Sequence, residues 1–258
     1  QEGYERFLEE LPEAERRALK DGDWDIFAGQ VFREFRREQD GREWHVIRPR
    51  EMPKGWKRFR SIDWGYNAPC AVHWHAVSPE MRVFTYRELY VRERLPSQVA
   101  KEVLALSAGE DIAYTAASPD MWQKRGVAGG GLQGETIAET FALNGVPLTP
   151  ADNNRLQGWQ RMHEYLAVAP DGLPWWQIFE TCPNLIRTLP GLVYDKHRVE
   201  DVSDECEDHA AESCRYALMS RPGVRAGSGL ARDRRREQKN SPGNWAKQER
   251  MEKNMGAC

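Results

Sequence analysis

Three β-patterned runs set one after another in residues 58–91 constrain this chain more than anything else in its sequence. RFRSIDW reads as a strand ending in a carboxylate, the turn cluster GYNAP follows, and CAVHWHAV is a second, apolar strand. Ser78 to Glu80 make the next turn, and RVFTYRELYV alternates well enough for a third strand, so the segment reads as an antiparallel meander. Beyond it, helical and strand patterns take turns. PSQVAKEVLALSA is an amphipathic helix with Pro96 near its start, DIAYTAASP a strand running into a loop at Asp120, and ETIAETFALNG a helix closed by Gly145. VPLTPA reads as a strand, NRLQGWQRMHEYLAV as a helix, WWQIF as a strand, and PNLIRTLPGLVY as a further short helix. EDHAAESCRYALMS forms the last helix, stopped by Pro222. Antiparallel strands followed by alternating helices and strands predict an α/β fold, a mixed sheet with helices on both faces.

The flanks differ from this body. Residues 4–21 read as one or two short helices, with Pro12 near a helix start and Gly22 after the end. Residues 29–53 mix aromatics, charges and proline, which suggests an irregular connector with at most one short strand, around His45 to Ile47. Beyond Pro222 the sequence is rich in Gly, Ser and charge and poor in large apolar residues, the composition of a mobile tail. The expected division is therefore a connector over 1–57, a folded body over 58–222 and a basic tail over 223–258.

Charge follows the same division. The formal net charge is −3, but residues 221–258 carry ten Lys and Arg against four Asp and Glu, a net of +6 that leaves −9 for residues 1–220. No run approaches the roughly 18 apolar residues of a membrane span, and the charged start QEGYERFLEELPEAERR is unlike a signal peptide, so no membrane association is expected. The five cysteines, Cys70, Cys182, Cys206, Cys214 and Cys258, form no CxxC pair, which argues against a disulfide framework or a zinc knuckle and for a reducing cytoplasm. An acidic body is poorly suited to phosphate unless its carboxylates hold divalent cations that invert the local charge.

Three acidic positions are placed for that. Asp63 ends an otherwise apolar strand and is followed after one residue by Gly65, which permits close approach of backbone or ligand; the alternative is a surface turn aspartate. Asp120 stands at the exit of another strand, where ordinary turn chemistry is the competing account. DVSDECEDHAAESCRYALM gathers Asp201, Asp204, Glu205, Glu207, Asp208 and Glu212 around His209 at a helix start, where acids also simply favour the helix dipole. On that helix Asp208 and Glu212 are four residues apart and share a face. As a set, oxygen-only ligands suit Mg²⁺ or Mn²⁺, and two such ions about 4 Å apart activate a water and stabilise the leaving oxygen of a phosphodiester.

SIDWGY, ASPDMW and DHAAESCRYAL resemble, in order and spacing, the three acidic motifs of the nuclease half of tailed-bacteriophage large terminases. The resemblance extends to LPEAERRALKDGDWDIFAGQVFREF, GWQRMHEYL and IFETCPNLIRTLPGLVYD, roughly residues 5–222. It implies a ribonuclease H-like fold and a metal-dependent endonuclease that cuts concatemeric viral DNA, with Asp63, Asp120 and either Asp208 or Glu212 as metal ligands. The family usually has Asp where this chain has Glu212. His209 matches a family histidine beside the metals, where it ligates or positions water; a histidine bonded to a neighbouring carboxylate is the plainer account.

The resemblance also implies double-stranded DNA as substrate, with a portal protein, a small terminase subunit and an ATPase motor as partners, in the host cytoplasm and transiently at the procapsid portal. No ATPase motif stands in this chain: GGGLQGET at 129–136 has phosphate-loop spacing but Glu135 in place of the lysine, and reads as a glycine loop or linker. Lys124, Arg125, Arg155, Lys196 and Arg215 are candidates for phosphate contacts, with a solvated surface cation as the alternative for each. The same acids would serve another ribonuclease H-like nuclease, such as a junction resolvase, transposase or hybrid nuclease. A portal or capsid docking module without activity is the non-enzymatic alternative.

Overall fold

The computed structural model of the protein describes residues 29–124 and 134–224. The helices expected within residues 4–21, Arg125, most of the glycine loop and the tail from residue 225 lie outside the described residues. A short hairpin, β1 (Glu38–Gln39) and β2 (Arg42–Glu43), turns through Asp40 and Gly41, both at positive φ as a two-residue Asp-Gly turn requires. The main sheet is built from β3 (Val46–Ile47), β4 (Lys57–Asp63), β5 (Cys70–Val77), β6 (Val83–Val91), β7 (Ile112–Ala117), β8 (Thr149–Pro150) and β9 (Trp176–Phe179). Its order is β3-β9-β6-β5-β4-β7-β8. The helices are α1 (Pro96–Leu106), α2 (Ile137–Leu143), α3 (Arg155–Leu166), α4 (Pro183–Thr188) and α5 (His209–Met219).

The meander expected over 58–91 is present, with β4, β5 and β6 paired antiparallel. Parallel strands extend it on both sides: β7 joins β4 and β9 joins β6. The expected strand VPLTPA contracts to the two residues of β8, because Pro147 and Pro150 have no N–H for the ladder and confine the segment to a sheet edge. Before β4 the chain forms three short strands where at most one was expected, because the Asp40–Gly41 turn closes a hairpin, and it packs onto the body. Val31, Phe32 and Phe35 are buried, the Val31 N–H donates to the Leu192 carbonyl, and β3 pairs with β9.

Alternation along the strands sorts the side chains to the two faces. Ile62, Val72, Trp74, Ala76 and Phe84 form an apolar cluster with Val99, Ala100 and Val103 of α1 and Ile137, Ala138 and Phe141 of α2. The opposite face carries Ser61, Asp63, His73 and His75, and α5 packs there against β4 and β5. Helices therefore cover both faces. Between Trp74 and His75 the β5–β6 register shifts, because Trp74 faces Arg87 while His75 faces Thr85. The extra residue, Tyr86, makes a β-bulge on β6. Among the described residues no helix is long and apolar enough to cross a membrane.

Gly65 lies just past β4, where a Cβ would stand 2.5 Å from the carbonyl oxygens of both Ala68 and Pro69. Only a residue without Cβ lets the chain fold back this tightly into β5 behind Asp63. Gly65→Ala is expected to lower stability by about 1–3 kcal/mol through forced displacement of backbone. Urea denaturation followed by circular dichroism checks this, and an unchanged midpoint would contradict it.

Candidate active site

Strands β4 and β7 run parallel with Ile62 opposite Ala117, so both chains leave the sheet at the same end. The Ser118 N–H donates to the Ile62 carbonyl at 3.1 Å, tying the two exits together. Asp63 is the last residue of β4, and Asp120 lies in the 3₁₀ turn Pro119–Trp122 after β7. Helix α5 begins beside them, with Asp208 at its N-cap. His209 Nδ1–H donates to Asp63 Oδ2 at 3.1 Å, joining the helix to the strand. Asp120 is exposed, whereas Asp63 and Asp208 have side chains only 13% and 15% exposed.

Burial pushes the Asp63 carboxyl above the usual range; the charges of Asp208 and Asp120 add to this, and the bond from His209 opposes it. Asp208 is likewise pushed up by burial, against Arg155 and His209. The His209 imidazole is raised, chiefly by its hydrogen bond to Asp63, despite its burial. The acids thus sense one another across two strand ends and a helix start.

A layer of buried guanidinium lies behind them. Arg215 is fully buried and donates from Nε to Glu212 Oε2 at 2.7 Å and from Nη2 to Asn153 Oδ1 at 3.0 Å. Its guanidinium carbon lies 5.4 Å from the Trp159 ring centroid and 4.6 Å from that of Tyr216. Gly158 of α3 admits it, because a Cβ there would be 2.5 Å from Arg215 Cγ and Cδ. Arg155 reaches from α3 to three acids: Nε donates to Asp201 Oδ1 at 2.9 Å, Nη2 lies 3.4 Å from Asp208, and Nη1 lies 3.3 Å from Glu212 Oε1. Trp159 Nε1–H also donates to Asp201, at 2.8 Å. Burial pushes the Glu212 carboxyl up while Arg215 and Arg155 pull it down.

The residues singled out from sequence therefore separate. Asp63, Asp120, Asp208 and His209 come together at one end of the sheet. Glu212 is one turn further along α5, held by two arginines. Among the described residues no group of three or more His, Cys, Asp or Glu side chains is gathered tightly enough to hold a metal as it stands. Each acid instead faces its own cationic partner or solvent. Of the expected phosphate contacts, Lys124 and Lys196 are exposed, whereas Arg215 is sealed inside the protein and cannot meet DNA. Arg155 points into the acidic cluster. The role of Asp201 as anchor of Arg155 was hidden in a run of acids, and only the facing helix α3 distinguishes it.

No protein-family model and no curated protein matches this sequence. Solved structures do. The large terminase of a thermophilic bacteriophage matches with a TM-score of 0.57 and 13% identity, over 74% of this chain and 45% of that one. The large terminase nuclease domain of P22 matches with a TM-score of 0.55 and 18% identity, over 70% of this chain and 91% of that one. This chain has the terminase nuclease fold. It is ribonuclease H-like, as the sequence resemblance implied. A third structure, the large terminase nuclease of thermophilic phage G20c with bound cobalt, has a TM-score of 0.50 and 12% identity over 74% of this chain and 96% of that one. The chain thus spans less than half the length of the first of these terminases and most of the isolated P22 domain.

Two outcomes follow from the geometry within this terminase nuclease fold. Arg215→Met leaves Glu212 buried without its main cation and is expected to cost about 3–5 kcal/mol, part of which Glu212→Gln in the same chain should restore. Denaturant titration of the single and double variants tests this, and additive losses would contradict the pairing. The raised value of His209 means that the folded protein holds the imidazolium more tightly than the unfolded chain does. Its contribution is complete below the ordinary value of 6.5 and is lost as pH rises through the folded one. Metal-free protein should therefore lose, above about pH 6.5, an increment of stability that His209→Gln lacks. Parallel stability curves for the two proteins would rule this out.

Proposed function

We propose that this chain is the metal-dependent endonuclease domain of a viral DNA-packaging terminase, cutting double-stranded concatemeric DNA with little sequence preference. The observation that most supports it is the meeting of Asp63, Asp120 and Asp208 at the common exit of β4, β7 and the start of α5, on the fold of terminase nucleases. Burial makes both Asp63 and Asp208 reluctant to ionise, and at Asp63 the charges of Asp208 and Asp120 add to the effect, which a bound cation would relieve.

The donor set fits a hard divalent cation, because its ligating atoms are carboxylate oxygens without a thiolate among them. Asp63, Asp120 and Asp208 would hold Mg²⁺ or Mn²⁺, as two ions. The G20c nuclease, with cobalt bound, offers a precedent in the same fold. Glu212, already engaged by Arg155 and Arg215, is assigned to holding those arginines and not to the metal. Bound cations supply Lewis acidity, activating a water and stabilising the leaving oxygen of the phosphodiester. His209 orients the Asp63 carboxylate by donating from Nδ1. Arg155 restrains Asp208 from the α3 side. Lys124, exposed four residues after Asp120, and Lys196, also exposed, remain candidates for the DNA backbone together with Arg125, and contacts of that kind carry no sequence information.

The larger assembly follows from the same reading. A chain matching 45% of a large terminase is proposed to work beside an ATPase motor, with a portal protein and a small terminase subunit as further partners. Its place would be the host cytoplasm, and transiently the procapsid portal.

Asp63→Ala is expected to abolish plasmid cleavage in Mg²⁺ or Mn²⁺ while its circular dichroism remains that of the wild type. Asp208→Asn should lose more than the 10- to 100-fold that is roughly typical of groups outside the ligand set, and His209→Ala should fall within that range. Gel assays on supercoiled DNA, with and without chelator, measure all three. Full activity in Asp63→Ala would remove the assignment.

A further inference from the structure

The sheet face beneath α5 is polar where a core is ordinarily apolar. Ser61, His73, His75, Thr85 and Ser213 are each 0–1% exposed, and the Glu88 side chain is 2% exposed. Their contacts form one line. Trp176 Nε1 lies 2.8 Å from Thr85 Oγ1, and Thr85 Oγ1 lies 3.0 Å from His75 Nδ1. His75 Nε2 is 2.8 Å from Ser61 Oγ, which is 3.0 Å from Ser213 Oγ. Ser213 Oγ is 3.0 Å from His73 Nδ1, and His73 Nε2 is 3.1 Å from Glu88 Oε1.

Both ends fix the direction of the protons. An indole N–H only donates, so Thr85 accepts from Trp176 and passes its own proton to His75 Nδ1. A carboxylate only accepts, and Glu88 also receives the Asn184 and Leu185 N–H groups and the Asn184 side-chain amide. Although burial opposes its charge, the bonds from His73 and Asn184 hold the Glu88 carboxyl below the usual range. Between the ends each hydroxyl accepts one proton and passes one on. Each imidazole then has one donor and one acceptor nitrogen, the neutral form, and burial drives His75 well below the usual imidazole range. The bulge at Tyr86 makes the line possible. Thr85 and Glu88 are three residues apart, and strict alternation would send them to opposite faces.

We propose that Trp176, Thr85, His75, Ser61, Ser213, His73 and Glu88 form one proton-ordered chain, with both imidazoles neutral and protonated at Nε2, and that Ser213 is a positioning residue through which it fixes α5 relative to β4. Ser61 lies on the same face as Asp63, two residues earlier on the strand, and Ser213 is one turn after His209. The single bond between their hydroxyls therefore joins the strand that carries Asp63 to the helix that carries His209, with Asp208 at its cap. This positional consequence rests on the proposed nuclease reading; the proton order does not.

Long-range ¹H–¹⁵N spectra of metal-free, histidine-labelled protein near neutral pH read the tautomers directly. The expected result is the Nε2–H pattern at His73 and His75. An imidazolium or an Nδ1–H tautomer at either one overturns the proton order. For the positional role, Mn²⁺ alone is titrated calorimetrically. Ser213→Ala and Ser61→Ala, which break the same link from opposite sides, should each weaken binding at least about tenfold. Val103→Ala, which trims the fully buried apolar side under α1, should bind as wild type at a comparable loss of thermal stability. Unchanged affinity in the serine variants, or an equal loss in Val103→Ala, overturns the positional role. Wild type that fails to bind Mn²⁺ removes the nuclease reading and the positional role together, and the spectra then decide the proton order alone.

Discussion

Strand β5 is buried on both sides along all eight of its residues, and the rest of the body is arranged to satisfy that condition. One side offers Val72, Trp74 and Ala76, which any well-shaped apolar surface can cover, and α1 and α2 do so. The other side offers His73 and His75, which need partners of defined donor and acceptor character. A buried polar group left unmade costs about 1–3 kcal/mol, so α5 has few seats available to it beneath these rings. The seat it takes, with Ser213 between Ser61 and His73, carries His209 to Asp63 and sets Asp208 at the mouth of the acidic cluster.

The carboxylates around that mouth fall into two populations with different chemistry. Asp201 and Glu212 are engaged by guanidinium and indole donors from α3 and α5. Buried pairs of this kind add little net stability, but they penalise any arrangement that separates them. Asp63 and Asp208 stand beside the exposed Asp120, and burial pushes both carboxyls up, as it does Glu212. The arginines tie α3 to α5, and the proposed metal role falls to Asp63, Asp120 and Asp208.

Much of this was legible in the sequence. Alternation and turn chemistry are local, so the meander, the later helices and the strand-end setting of Asp63 could be read directly. What escaped reading depends on partners distant along the chain. An arginine looks alike whether solvated or sealed: Arg215 was expected at the surface, and its burial depends on Gly158 and Trp159 of a helix more than fifty residues earlier. Asp208 and Glu212 share a helix face, and only the arginines of the folded protein tell their environments apart. The motif HWH passed as part of an apolar strand, because the donors and acceptors that make its two histidines interdependent come from three other elements, β4, β6 and α5. The short β3 and the strand WWQIF that became β9 were each foreseen near their places, but their pairing across some 130 residues was not.

The bulge at Tyr86 gives β6 an unusual relation to its own length. Because the two ends of a buried polar line hang from positions separated by an odd step, loss or gain of a single residue between them would turn one end into the apolar layer under α1 while leaving most side-chain identities intact. Relatives that keep this core are thus expected to vary freely in spelling across this stretch and to be intolerant of gaps within it.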